Sequence, residues 1–195
     1  MLEIIKKLNW VDLFVIILLF RIGYVAIKSG FSVELFKLLG TTAAIYMSLH
    51  YYTAFSDWIA KSSHIPISKE SMPLEFMDFI SFLILAIAGY IIFVGLRIGL
   101  YRFIKMEAVP VLNKWGGLVL GILRGFLLAG LIIFMLAIST LTYLRNSAIK
   151  SYLGKGLFKV APATYSWLWG NITSKFMTNE KFNKTILEVS EGLHL

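Results

Sequence analysis

The sequence predicts an all-α polytopic membrane protein with four transmembrane helices arranged as two hairpins, followed by an amphipathic C-terminal tail. Two observations predict this class. Apolar residues make up 58% of the chain and charged residues 15%, and the mean hydropathy is +0.77, which is more apolar surface than one water-soluble core can bury. The apolar residues also fall into four long runs, and about 20 helical residues are enough to cross a hydrocarbon core.

The four predicted spans run from about 11 to 27, 32 to 51, 77 to 99 and 115 to 143. Ser29-Gly30 leaves room only for a tight turn between the first two spans, which predicts an antiparallel hairpin. The polar interval from Tyr52 to Glu75 is predicted to be a solvent-exposed loop. Pro110 and Asn113 are predicted to mark the break before the fourth span.

Residues 1–145 are therefore assigned to a transmembrane domain and residues 146–195 to a segment on the membrane surface. In that segment lysines alternate with apolar residues, and Trp167 and Trp169 are suited to the headgroup region. A flexible soluble tail is the alternative. The net charge of +8 lies between and beside apolar runs, so the expected partners are the lipid bilayer and its anionic headgroups rather than nucleic acid.

No pattern in the sequence indicates an enzyme. The chain contains no cysteine, and its three histidines have no metal-ligand spacing. The usual motifs of hydrolases, nucleotide-binding proteins and dinucleotide-binding proteins do not occur. We therefore predict no catalytic residue, no cofactor-binding residue and no metal-binding residue. Asp12 and Asp78 lie near the starts of the first and third spans. We expect these acids to cap helices rather than to act as a proteolytic pair.

Small residues follow two of the predicted spans at helical spacing. Because helices in lipid associate by close approach, such faces predict helix packing. The predicted packing residues are Gly117, Gly121, Gly125 and Ala129 on the fourth span, with Gly95 and Gly99 on the third. The partner is either another helix of the same chain or a second protein, including a second copy of this chain.

A charge cluster is the second intramembrane feature. If the spans alternate in direction, one leaflet holds Arg21, Glu34, Arg97 and Arg124, and the other holds Asp12 and Asp78. Arg21 and Arg97 lie near helix ends, where long side chains extend to the interface. Arg124 lies deeper, where an unpaired charge is costly, so we expect it to pair with Glu34.

Three short motifs resemble the bacterial colicin V production protein family. They are Asn9-Trp10-Val11-Asp12, then Lys28-Ser-Gly30-Phe31 with Glu34-Leu35-Phe36 and Gly40, and Asn113-x-x-x-Gly117-x-x-x-Gly121-x-x-Arg124-Gly125. The resemblance covers roughly residues 9 to 145. The chain departs from the family pattern at Val33 and Lys114, where the family usually has a basic residue and an arginine, and it matches only loosely after Leu144.

The resemblance implies a non-enzymatic inner-membrane protein that supports toxin production or secretion, or envelope homeostasis. The alternative is a small oligomeric channel or transporter whose polar path is lined by Arg124, Arg97 and Glu34. Lys and Arg are almost equally divided between the two sides, so the positive-inside rule does not fix the orientation. In some relatives a protease domain follows the helices and works outside the cytoplasm, which implies that both termini are periplasmic.

Overall fold

The computed structural model describes residues 9–62, 74–101, 109–177 and 179–192, and within these ranges it is helical and contains no strand. Four long helices come first: α1 (Trp10–Ser29), α2 (Phe31–Ser62), α3 (Leu74–Tyr101) and α4 (Pro110–Ala137). Shorter helices follow: α5 (Thr142–Lys150), α6 (Tyr152–Leu157), α7 (Val160–Leu168), a π-helical turn (Trp169–Thr173), α8 (Ser174–Phe176) and α9 (Thr185–Gly192).

Among the described residues, three helices are long and apolar enough to cross a membrane: Trp10–Ser29, Glu75–Gly99 and Pro110–Ala137. The second predicted span lies inside α2, which has 32 residues and ample length. Its hydropathy is lower because Glu34 and Lys37 precede a series of Ser, Thr, His and Tyr side chains. A span in α2 therefore stays a prediction.

Two predicted boundaries were wrong. The loop predicted from Tyr52 is helical as far as Ser62, because Thr53–Ser62 contains neither Gly nor Pro and its polar residues are tolerated in a helix. Residues 63–73, the middle of that predicted loop, lie outside the described residues. The fourth helix occupies Pro110–Ala137 instead of 115–143, because Pro110 takes the first helical position rather than breaking the chain.

Helix packing does not follow the order of the chain. α2 packs along α3 and α4, and α1 packs along α4. The consecutive pairs α1–α2 and α3–α4 are joined by connections but make little contact with each other. The predicted arrangement as two packed hairpins is therefore not confirmed, and α2 is the central helix of the bundle.

The C-terminal helices fold back onto one end of this bundle. Phe158 follows α6 and stacks on Phe134 of α4 with ring centroids 5.4 Å apart. Phe134 in turn contacts Phe82 of α3 at 5.7 Å, and Phe82 contacts Tyr52 of α2 at 5.9 Å. This aromatic row joins three long helices to the tail. Residue 145, the predicted end of the transmembrane domain, lies within α5, and residues on both sides of it belong to the same core. On the outer surface of the C-terminal helices, three aromatic side chains are exposed: Tyr152, Trp167 and Phe176.

Candidate functional site

Glu34 is the centre of a buried charge cluster at the end of the bundle where α1 turns into α2. Its side chain is 0% exposed, and its Oε2 lies 3.0 Å from Nη2 of Arg124 on α4. Its Oε1 accepts a hydrogen bond of 2.6 Å from Nζ of Lys37, which also donates to Ser29 Oγ at 3.0 Å. Arg124 is only 7% exposed, and its Nε has no hydrogen-bond partner within the described residues. One carboxylate thus contacts two cations in a region shielded from water.

The turn beside this cluster is fixed by α4. Gly30 adopts φ +81°, a conformation that side chains other than glycine rarely accept, and its N–H donates to Ala26 O at 3.3 Å. Asn113 Oδ1 accepts a hydrogen bond of 2.8 Å from the N–H of Phe31, the first residue of α2. A Cβ at Gly30 would collide with the same Asn113 side chain. The turn therefore needs glycine for two reasons: its backbone has a positive φ, and Asn113 leaves no space for a side chain.

The glycines of α4 let α1 and the turn come close enough for these contacts. A Cβ at Gly117 would lie 3.0 Å from Ala26 O and from the carbonyl carbon of Gly30. At Gly121 it would collide with Ala26 Cβ and would lie 3.6 Å from Glu34 Oε2. At Gly125 it would lie 2.9 Å from Leu19. The face that carries Gly117, Gly121 and Gly125 is thus covered by α1 and its turn in the same chain.

Asn113, Gly117, Gly121, Arg124 and Gly125 therefore form one line along α4, and each of them contacts α1, the turn or the start of α2. We call this arrangement, together with Gly30, Glu34 and Lys37, the charged turn. The sequence profile of the family described as Colicin V production protein matches residues 11–162, which include every member of the charged turn. The chain belongs to this family. No curated protein and no solved structure shows significant similarity to it.

The family match extends past the predicted limit near residue 145 and includes α5, α6 and the start of α7. This range agrees with the packing of those segments, since Ala148, Leu157 and Phe158 are buried in the same core as the long helices. In this colicin V production family member, the part after Leu144 is thus continuous with the bundle as far as residue 162.

Other predicted site residues lie apart from the charged turn. Arg21 is exposed and Arg97 is half-buried, and neither forms an ion pair with any described residue. Ala129 is fully buried farther along α4. Gly95 and Gly99 of α3 have no atom within 4 Å of a Cβ built on them, so nothing in the described chain covers their face. The same four-residue spacing therefore has different surroundings on α3 and α4.

Asp12 fastens the start of α1 to the C-terminal part of the chain. It forms a capping box with Asn9, whose side chain accepts from Val11 N at 2.8 Å while Asp12 Oδ2 accepts from Asn9 N at 2.8 Å. Its other oxygen accepts from Ser151 Oγ at 2.6 Å and from Leu153 N at 2.8 Å. Asp12 therefore caps its own helix, as predicted from its position, and also binds the beginning of α6.

Asp78 has different surroundings from those predicted. Because α3 begins at Leu74, the acid in its first turn is Glu75 and Asp78 lies one turn later. The side chain lines a 380 Å³ cavity between α2, α3, the end of α4 and the tail. Its walls also include Tyr52, Arg145 and Glu188. Asp78 is therefore a wall of a polar cavity rather than a helix cap. Among the described residues, no group of three His, Cys, Asp or Glu side chains could hold a metal ion.

A further polar network, which the sequence did not indicate, attaches the tail to α2. Tyr165 Oη accepts a hydrogen bond from Asn183 N at 3.0 Å and lies 2.8 Å from His50 Nδ1. His50 Nε2 lies 2.5 Å from Glu180 Oε2, and Tyr51 donates to the same carboxylate at 2.8 Å. We call these five residues the C-terminal network. Their separation of 115 to 133 residues between α2 and the tail explains why no local motif reveals them.

The direction of the hydrogen bonds follows from Tyr165. Burial raises the pKa of Tyr165 to about 12, so its hydroxyl keeps its proton at neutral pH. Tyr165 Oη accepts from Asn183 N and has its own proton to donate to His50 Nδ1. In the tautomer of His50 that carries its proton on Nε2, Nδ1 accepts from Tyr165 and Nε2 donates to Glu180. The network is therefore a continuous chain of donors and acceptors, closed at one end by backbone.

Proposed function

We propose that this protein is a non-enzymatic inner-membrane module that supports the production or secretion of a colicin V-like toxin, or envelope homeostasis, by presenting a rigid surface to a membrane-protein partner. The observation that supports this proposal most directly is the enclosure of Glu34. Its carboxylate is fully buried and contacts Lys37 and Arg124. The residues that carry the family resemblance are thus engaged in holding the helices together, which is the role of a framework rather than of a reaction centre.

The proposal includes four spans, with α2 as the additional one. Its polar side chains bond within the protein: Ser48 Oγ donates to Ala44 O at 2.7 Å, and Thr41 Oγ1 donates to Lys37 O at 3.0 Å. A central helix surrounded by α3, α4 and the tail needs less hydropathy than a helix that faces lipid, because its polar groups meet partners instead of hydrocarbon.

Both termini are proposed to lie on one side of the membrane, in the periplasm. Two contacts support the same-side arrangement, because they join the beginning of α1 to the tail: Asn9 Nδ2 donates to Ser147 O at 2.7 Å, and Ser151 donates to Asp12. The periplasmic side itself rests only on what the family resemblance implies, and no contact in the structure bears on it. A partner, or a second copy, would use a surface other than the α4 glycine face, since α1 already covers that face.

A channel or transporter with Arg124, Arg97 and Glu34 along its path is the alternative. Arg97 and Lys37 do line one cleft between α2 and α3, but that cleft is too narrow for a water molecule. Glu34 has no exposed surface from which to contact a moving ion. The geometry therefore favours the framework over the path.

Reconstitution separates the two proposals. Purified protein in liposomes is expected to give no ion flux above protein-free vesicles, and Arg124→Leu is expected to leave that background unchanged. Flux that depends on Arg124 would support the channel and reject the framework.

Because the chain has no cysteine, single cysteines placed along the exposed face of α3 allow crosslinking in cells. The framework predicts a specific crosslinked partner, and Arg124→Leu should weaken both that crosslink and toxin output.

A further inference from the structure

Among the described residues, the end of the bundle that contains the charged turn carries more positive than negative charge. Lys37, Arg97 and Arg124 lie at this end of the bundle, and Glu34 is the acid that contacts two of them. Arg97 forms neither an ion pair nor a hydrogen bond with any described residue, although it is half-buried. A cation in a region of low dielectric is stabilised by an anion, and the described part of the chain supplies none to Arg97.

Arg97 and Lys37 face the same cleft between α2 and α3. The cleft is otherwise lined by Gly40 and by apolar and aromatic side chains: Phe36, Tyr90, Phe93 and Val94. On α3, Tyr90, Phe93, Val94 and Arg97 follow the helical spacing of one face. The cations therefore stand at one end of an apolar surface rather than in a polar pore.

Tyr90 also lines a second cleft, which continues along α3 toward the middle of the bundle. This cleft has a volume of 280 Å³ and lies between α3 and α4, with α2 at its base. Its lining is almost entirely apolar and includes Phe82, Ala86, Leu131 and Met135. It exists because α3 packs on α2 and makes little contact with α4. The first cleft is too narrow to hold a ligand, so a ligand would meet the two cations at its mouth and extend into the apolar second cleft.

We propose that an anionic phospholipid binds here, with its phosphate at Arg97 and Lys37 and one acyl chain in the cleft between α3 and α4. The match is one of charge and polarity: basic pockets between transmembrane helices bind acidic headgroups, and the apolar cleft excludes a free anion from its body. A lipid also supplies the negative charge that the surroundings of Arg97 lack. This site is independent of the proposed function, since a framework and a channel would hold the lipid equally well.

Lipid retention by the full chain tests the site. The purified protein is exchanged into detergent with equimolar phosphatidylglycerol and phosphatidylcholine, and bound lipid is counted by native mass spectrometry. Wild-type protein is expected to retain phosphatidylglycerol preferentially. Arg97→Gln should reduce that preference about fivefold, the effect of one cation near an anionic headgroup, whereas Arg97→Lys should keep most of it. Arg21→Gln, which removes an exposed cation of the same end, is the matched control and should change little.

A second variant tests the acyl chain. Ala86→Trp fills the apolar cleft and should lower retention of both lipids while the preference for the acidic headgroup persists in what remains. Equal losses from Arg21→Gln and Arg97→Gln would overturn the proposal in favour of diffuse attraction. Displacement of the lipid by inorganic phosphate would show a free-anion site instead. A disulfide-linked dimer of Ile87→Cys that forms in place of lipid binding would show that a second copy fills the cleft.

Discussion

The charged turn and the C-terminal network both fasten the bundle, one at the start of α2 and one beyond its middle, but they do so with different chemistry. The charged turn uses a fully buried carboxylate between two cations, with α1 brought close by glycines. The C-terminal network uses hydrogen bonds and stacked rings around His50, and its one carboxylate, Glu180, is 34% exposed. Water can reach the carboxylate of the network but not the carboxylate of the turn. The two sites should therefore differ in how severely they respond to the loss of one group.

The largest effect is expected from breaking the buried ion pair. Glu34→Leu leaves Arg124 and Lys37 without their carboxylate, and Arg124→Leu leaves Glu34 with one cation. Glu34→Leu should lower the free energy of unfolding by about 3–5 kcal/mol, because two cations lose their carboxylate. Arg124→Leu should cost less, because Glu34 keeps its contact with Lys37. The double variant should be less destabilised than Glu34→Leu, because one buried cation is removed together with the carboxylate. Unfolding in mixed detergent micelles measures all three, and a double variant as unstable as the worse single variant would contradict the pairing.

A smaller effect is expected from the glycine that admits α1. Gly121→Leu places a side chain where a Cβ already collides with Ala26, and such overpacking costs about 1–3 kcal/mol. Gly95→Leu is the matched control, because no atom lies within 4 Å of its Cβ position, and it should change stability by less than about 0.5 kcal/mol. The same unfolding assay compares them. Equal destabilisation would mean that the approach of α1 to Gly121 does not decide the result, because leucine has a higher helix propensity than glycine at both positions.

The smallest effect is expected at the C-terminal network. Tyr165→Phe keeps the ring, which stacks on Phe182 at 5.0 Å, but removes the hydroxyl between Asn183 and His50. The loss should be about 1 kcal/mol and should be local, with faster hydrogen exchange in α9 and little change in α1. Tyr152→Phe alters an exposed hydroxyl and serves as the control. Hydrogen exchange that increases equally in α1 and α9 would show that the charged turn and the C-terminal network do not act independently.

Much of the charged turn could be predicted because its residues lie on short motifs beside predictable helix ends. Arg124 lies so deep in its helix that it needs a partner in place of water. Glu34 is the acid that the sequence places near Arg124 in the same leaflet. The spacing of Gly117, Gly121 and Gly125 indicates a close-packed face. The spacing alone does not identify the neighbour, as Gly95 and Gly99 show, because their face on α3 is left uncovered by the described chain.

The extent of α2 and the surroundings of the tail could not be predicted in the same way. Polar residues after Tyr52 look like a loop in hydropathy, but they continue the helix because nothing in that stretch breaks it. His50 has no neighbour in the sequence that indicates a role, since its partners follow more than 100 residues later. Contacts of this kind depend on how the tail folds back, which local patterns do not encode.

Asp12 has a consequence for the order in which the chain is assembled. Its Oδ1 binds Ser151 and Leu153, which follow it by 139 and 141 residues. At synthesis rates of about 5–20 residues per second, those partners emerge roughly 7 to 30 seconds after Asp12 does. Until then the carboxylate has only its own capping box and water as partners. α1 is therefore among the last of the described helices to be fully secured.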